Sequence, residues 1–159
     1  MKYPLARVAR AATFANPVVM VAALIMASIA LGPARPANAE GFLAGRLERL
    51  PDIEVGLGNA GYGVSDHKYE LTTGKGYRVW IKSTGAKECA FVAPEFFRNV
   101  WFRKIEVNKV EIKIDFIHEL EFEREGEVEL FFTPIKPGTY EWACEGFEEK
   151  GMTGKIVVK

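Results

Sequence analysis

Apolar and polar residues alternate with a period of two along most of the second half of the chain. Tyr77-Arg78-Val79-Trp80-Ile81 is the clearest run, and Trp101 to Val107, Val110 to Ile114 and Glu119 to Glu123 repeat the pattern. Glu127 to Phe132, Thr139 to Cys144 and Lys155 to Lys159 follow, and Tyr69 to Leu71 and Cys89 to Val92 are shorter pieces of the same kind. A period of two marks strands with one buried face. Gly, Pro, Asn and Ser separate the runs, so the pattern predicts an all-β, antiparallel sandwich of seven to eight short strands. Ala93 to Asn99 departs from it and predicts a helical turn begun at Pro94.

Upstream the signal weakens. Residues 40–65 hold Gly41, Gly45, Gly56, Gly58, Gly61 and Gly63. Within them Ile53 to Leu57 alternates well enough for a first strand, and Arg46 to Leu50 suggests a helical turn limited by Pro51. Residues 1–39 read as a cleavable signal peptide. Lys2, Arg7 and Arg10 precede the apolar stretch Pro17 to Gly32, and Ala37-Asn38-Ala39 is a small-residue cleavage site. The apolar stretch is short for a membrane span, so no span is expected after cleavage, and the periplasm is the expected destination.

Removal of the leader changes the charge. The full chain balances 21 basic against 21 acidic residues, but Lys2, Arg7, Arg10 and Arg35 lie in the leader, leaving 17 against 21 and a net of −4. With no basic stripe, a nucleic-acid partner is not expected. The remaining length suits one domain with one core, acting as a monomer. Glu119, Glu121, Glu123, Glu127 and Glu129 share one parity and read as the wet side of a sheet. Phe91, Phe96, Phe97, Trp101 and Phe102 read as core. The two histidines, His67 and His118, read as surface residues. No nucleophile–base pair, zinc motif or phosphate loop is visible, so an enzyme is not expected. The two cysteines, Cys89 and Cys144, form an even count in an exported chain, which reads first as a disulfide.

The C-terminal segment carries the most specific motif. Thr133-Pro134-Ile135-Lys136-Pro137-Gly138-Thr139-Tyr140-Glu141-Trp142-Ala143-Cys144 is a turn and a strand ending in Cys, followed by a short loop to Gly151-Met152-Thr153-Gly154 and a closing strand. This arrangement resembles the C-terminal end of a cupredoxin, the blue-copper fold, and the resemblance spans residues 66–159. It implies a Greek-key sandwich whose metal is held by two imidazoles, a thiolate and a weak axial thioether. By that register Cys144 matches the Cys ligand and Met152 the Met ligand, while Phe147 stands where the second His would be. Ile81 to Phe91 resembles the strand and turn leading to the first His, which places Cys89 at that position.

The resemblance therefore implies a degenerate type-1 copper site. Two cysteines side by side at ligand positions imply a Cys89–Cys144 disulfide in an oxidising compartment. The competing ligand set, Cys89, Cys144 and Met152, is soft and suits Cu(I). Glu145, Glu148 and Glu149 in the loop, or Glu88 and Glu95 nearby, would add hard oxygen ligands suited to iron or Cu(II). The expected cofactor is none or a single copper ion, with iron the other metal the carboxylates suit. The expected function is that of an exported cupredoxin-like binding or accessory protein linked to copper or iron handling. The alternatives are a Cu(I) carrier and an electron-transfer protein with an unusual ligand set. A metal-transport or redox protein of the membrane or periplasm is the expected partner.

Overall fold

The computed structural model describes residues 45–65 and 67–159. The signal-peptide expectation for residues 1–39 lies outside them. Residues 40–159 form a compact unit. Its described part contains strands β1 (Glu48–Arg49), β2 (Ile53–Leu57), β3 (Gly63–Val64), β4 (Lys68–Leu71), β5 (Tyr77–Ser83) and β6 (Cys89–Val92). A single helical turn, α1 (Pro94–Phe97), follows, and then β7 (Val100–Val107), β8 (Val110–Ile112), β9 (Leu120–Phe122), β10 (Gly126–Pro134), β11 (Gly138–Cys144) and β12 (Thr153–Val158). A 3₁₀ turn, Glu148–Lys150, lies between the last two strands.

The strands form two sheets. One runs β3-β2-β5-β10-β7-β8, with β1 also paired to β5, and the other runs β4-β12-β11-β6-β9. The all-β sandwich is present, and its sheets are mixed. β1 and β2 both run parallel to β5, and β4 runs parallel to β12. Each parallel pair joins strands separated by an excursion to the other sheet, a connection that strand alternation does not encode. Short pieces such as β1 and β3 raise the number of strands above that expected.

The alternation places the core. On β5, Tyr77, Val79, Ile81 and Ser83 are buried, and the intervening Arg78, Trp80 and Lys82 are only half-buried. Ile81, Phe91, Phe97 and Trp142 fill the space between the sheets, with Phe91 stacked on Trp142 at a centroid distance of 5.2 Å. Such packing holds the two layers together through apolar burial and ring geometry. Helix α1 begins with Pro94, as expected, and turns Phe96 and Phe97 inward.

Three local expectations change. Arg46 to Leu50 forms no helical turn: Glu48 and Arg49 pair with Tyr77 and Arg78 instead, because ladder hydrogen bonds to β5 satisfy a backbone that Pro51 prevents from continuing as helix. Trp101 is 40% exposed, since its parity on β7 sets it on the outer face. Glu129 is only 4% exposed although it belongs to the outward parity. It lies on a central strand between Trp80 and Glu106 on its two neighbours, where surrounding side chains cover it.

Candidate functional site

Strand pairing brings the two cysteines together. β11 runs antiparallel to β6, with Cys144 opposite Phe91 and Ala143 opposite Val92. Cys89 opens β6, two residues from Phe91 and on the same face, so it falls beside the end of β11. The Cα atoms of Cys89 and Cys144 are 5.0 Å apart and their sulfurs are bonded. This separation lies within the range a disulfide needs. Both residues are buried, at 1% and 0% exposure.

The loop after Cys144 folds back on that strand end. The Phe147 N–H donates to the Cys144 carbonyl at 3.0 Å, the Met152 N–H donates to the Phe147 carbonyl at 3.2 Å, and the Cys144 N–H donates to the Met152 carbonyl at 2.9 Å. The 3₁₀ turn between them ends at Gly151, whose φ of 90° lies in the left-handed region that glycine adopts without strain. Cys144, Phe147 and Met152 thus share one closed circuit of main-chain hydrogen bonds. Met152 is buried in the core with the two cysteines.

Phe147 is half-buried and its ring meets Tyr62 at 5.5 Å. Tyr62 comes from the Gly-rich segment before β3, and Lys87 Nζ lies 5.1 Å from its ring centroid, a cation–π geometry. The close approach depends on Gly61, where a Cβ would stand 2.9 Å from that of Ala86 and φ is +72°. Tyr62 and Lys87 are the site residues missed in the sequence. The signal available was the aromatic residue set among glycines, which marks a backbone packed closely on its neighbour.

The other candidates lie apart from the sulfur cluster. His67 is exposed, and its Nδ1 donates to the Thr153 carbonyl at 2.8 Å, one residue beyond Met152. His118 is exposed. Glu145, Glu148 and Glu149 face solvent on the loop, as do Glu88 and Glu95. On the neighbouring β9, local burial and the adjacent Glu119 and Glu88 push the Glu121 carboxyl above its ordinary value. Among the described residues no group of three or more His, Cys, Asp or Glu is arranged to hold a metal ion. With each sulfur bonded to the other, Cys89 and Cys144 as they stand do not fit a type-1 copper ion. A disulfide sulfur has no thiolate charge to offer.

No family model and no curated protein matches the sequence. The architecture does match solved structures. One is a variant of the multicopper oxidase McoA from the hyperthermophile Aquifex aeolicus, with a TM-score of 0.56 and 12% identity over 81% of this chain. This is a cupredoxin fold. A laccase from Pediococcus acidilactici gives a TM-score of 0.55 with 10% identity over 72% of this chain, and a further multicopper oxidase gives 0.51 with 9% over 70%. The cupredoxin-like chain spans 32%, 27% and 44% of those proteins, so it corresponds to a part of each.

These matches correct one expectation. The lack of hydrolytic and phosphate-binding motifs argues against an enzyme, yet the three solved structures above that share the fold are copper oxidases. Redox catalysis at a metal needs no nucleophile–base pair, so those missing motifs had no bearing on it. The cupredoxin fold is therefore one that catalysis also uses. No described helix is long and apolar enough to cross a membrane.

Proposed function

We propose that this chain is an exported cupredoxin-like protein with a binding or accessory role in copper or iron handling, in which a disulfide stands where the fold's metal ligands would be. The observation that carries the reading is the Cys89–Cys144 bond at the junction of β6 and β11. The bond links the two sheet-two strands from which the resemblance would draw a first imidazole and a thiolate. At the loop position where the resemblance would place the second imidazole stands Phe147, whose ring packs on Tyr62. The leader directs the chain to the periplasm, where such a bond persists. A membrane or periplasmic metal-transport or redox protein is the partner consistent with this role.

A second reading has its own support: Cys89, Cys144 and Met152 are all buried in the core, and the Cys144 N–H donates to the Met152 carbonyl at 2.9 Å. Reduction by a dithiol delivers two electrons and two protons to the bond, and the dithiol itself becomes a disulfide. The two freed thiols with the Met152 thioether form a soft set suited to Cu(I).

Native mass measurement of the purified protein before and after reduction separates these readings. A metal-free protein that gains about 2 Da on reduction supports the first, because one disulfide takes up two hydrogens. A protein isolated with two thiols and one bound copper contradicts it and favours the second.

A further inference from the structure

Strand β8 ends the larger sheet, and among the described residues no strand pairs with its outer edge. It is joined to β7 by a two-residue turn at Asn108 and Lys109, whose φ values of 47° and 65° match the type I′ hairpin turn. Val107 and Val110 close that turn, with Glu106 opposite Glu111 and Ile105 opposite Ile112. Hydrogen-bonding pairs alternate along an antiparallel ladder. Val110 and Ile112 therefore direct their backbone groups to β7, and Glu111 directs its own outward. Lys113 follows the last residue of the strand, and extending the strand by one residue would continue the outward set. Side chains alternate as well: Val110 and Ile112 lie on the core-facing side but overhang it, 58% and 39% exposed, and Ile114 packs on the core.

An edge strand with free backbone groups is commonly blunted by lysine and by shortness. Here the charges do something more specific. Lys109-Val110-Glu111-Ile112-Lys113-Ile114-Asp115 is complementary to its own reverse about Ile112. In an antiparallel pairing of two copies centred there, Val110 meets Ile114, Ile112 meets itself, and Glu111, which pairs with Lys104 and Lys113 of its own chain, meets Lys113 of the other copy. Lys109 in the turn and Asp115 in a bend lie beyond the ladder. Shifting the centre to Glu111 or to Lys113 sets Glu111 or Lys113 against itself, and like charges directly opposite repel. The charge pattern thus selects one register. That register also makes the outward backbone groups of Glu111 and Lys113 the hydrogen-bonded pairs across the new ladder. It covers the exposed Val110 and Ile112 with apolar residues of the other copy.

We propose that the chain self-associates through β8, as an antiparallel edge-to-edge dimer with its two-fold axis at Ile112. The sequence alone suggested a single copy. The occupant of this edge is a second copy of the chain because the segment complements its own charges. A ladder this short buries little area, so the association is weak and depends on concentration.

The test is sedimentation equilibrium of the purified protein over a concentration series reaching about 1 mM, where weak pairs of this size associate. The proposal expects a monomer–dimer equilibrium. Glu111→Lys or Lys113→Glu alone weakens it by about tenfold or more, by turning both cross-strand ion pairs repulsive. The combined Glu111→Lys, Lys113→Glu variant restores it. Lys113→Pro removes an outward N–H not used by β7 and also gives a monomer while the fold is kept. In a second measurement Ile112→Cys forms a disulfide-linked dimer on mild oxidation, and Val110→Cys does not, because only residue 112 faces itself. A protein that stays monomeric throughout overturns the proposal. So does a dimer indifferent to the single charge changes, or a swap variant that fails to recover.

Discussion

Reducing the Cys89–Cys144 bond should lower the stability of the folded domain by about 4 kcal/mol. The two cysteines are 55 residues apart in sequence and both are buried in the core, so the folded packing is taken as unchanged on reduction. The principal change is then in the unfolded chain, which regains the freedom the crosslink removed. The chain-entropy relation for a loop of this length gives about 14 cal/mol/K, or about 4 kcal/mol at 25 °C. For a domain of this size that corresponds to a fall of about 15 °C in Tm, at about 4 °C per kcal/mol. The assay is urea unfolding of the disulfide-intact protein beside the same protein held reduced, with the Cys89→Ala, Cys144→Ala variant as a second comparison. The midpoint should fall, and the slope of free energy against urea should rise because the unfolded reduced chain exposes more surface. A difference smaller than about 1 kcal/mol would refute the reasoning, since the crosslink would then constrain little.

Two further predictions concern the site and the larger sheet. The combined Cys89→His, Phe147→His variant supplies two imidazoles beside the freed Cys144 thiol and Met152, so Cu(II) should give it an intense visible copper–thiolate band. A folded variant without the band would show that Cys89 and Phe147 do not occupy the ligand positions. Glu129 is buried, its Oε1 accepts no hydrogen bond from a described residue, and the Arg78 guanidinium stands 3.7 Å away. Desolvation raises its carboxyl above the ordinary glutamate value despite that cation. The folded state then holds this proton more tightly than the unfolded state, so its contribution to stability is largest below the ordinary value and declines as pH rises through the raised one. Glu129→Gln should lack that decline, and urea midpoints measured from pH 4 to 8 would show it; parallel pH profiles for the two proteins would contradict it.

What the sequence made legible follows from which residues carry a periodic signal. β5 alternates strictly in burial because it lies central in a sheet with one face on the core. β10 and β11 alternate only in part, and from Glu129 to Pro134 and from Trp142 to Cys144 both faces are covered. Pairing partners were not legible. The parallel placement of β1 and β2 on β5 depends on chain crossings that leave no local trace. The Gly-rich stretch was opaque because glycine carries no side chain to pattern, yet it delivers Tyr62 to Phe147. Glu129 and Trp101 depart from expectation for opposite reasons: the neighbouring strands cover the outward face at Glu129, whereas Trp101 follows its outward parity although aromatic residues favour the core. At the site, a motif shared with a known fold marked Cys144, Phe147 and Met152, where composition showed only an even cysteine count. The likeness of the fold to copper oxidases leaves no short catalytic motif in the sequence, because copper chemistry is carried by ligand geometry.

In the proposed reading, the Cys89–Cys144 disulfide and the Phe147 ring occupy the end of the fold where a cupredoxin holds its metal. The most direct test is to add Cu(II) to the disulfide-intact protein and record the visible spectrum together with the copper retained after desalting. No intense copper–thiolate band and no stoichiometric copper are expected, because neither sulfur is available as thiolate. One tightly held copper per chain with an intense visible band, in protein whose disulfide was intact at the start, would contradict it.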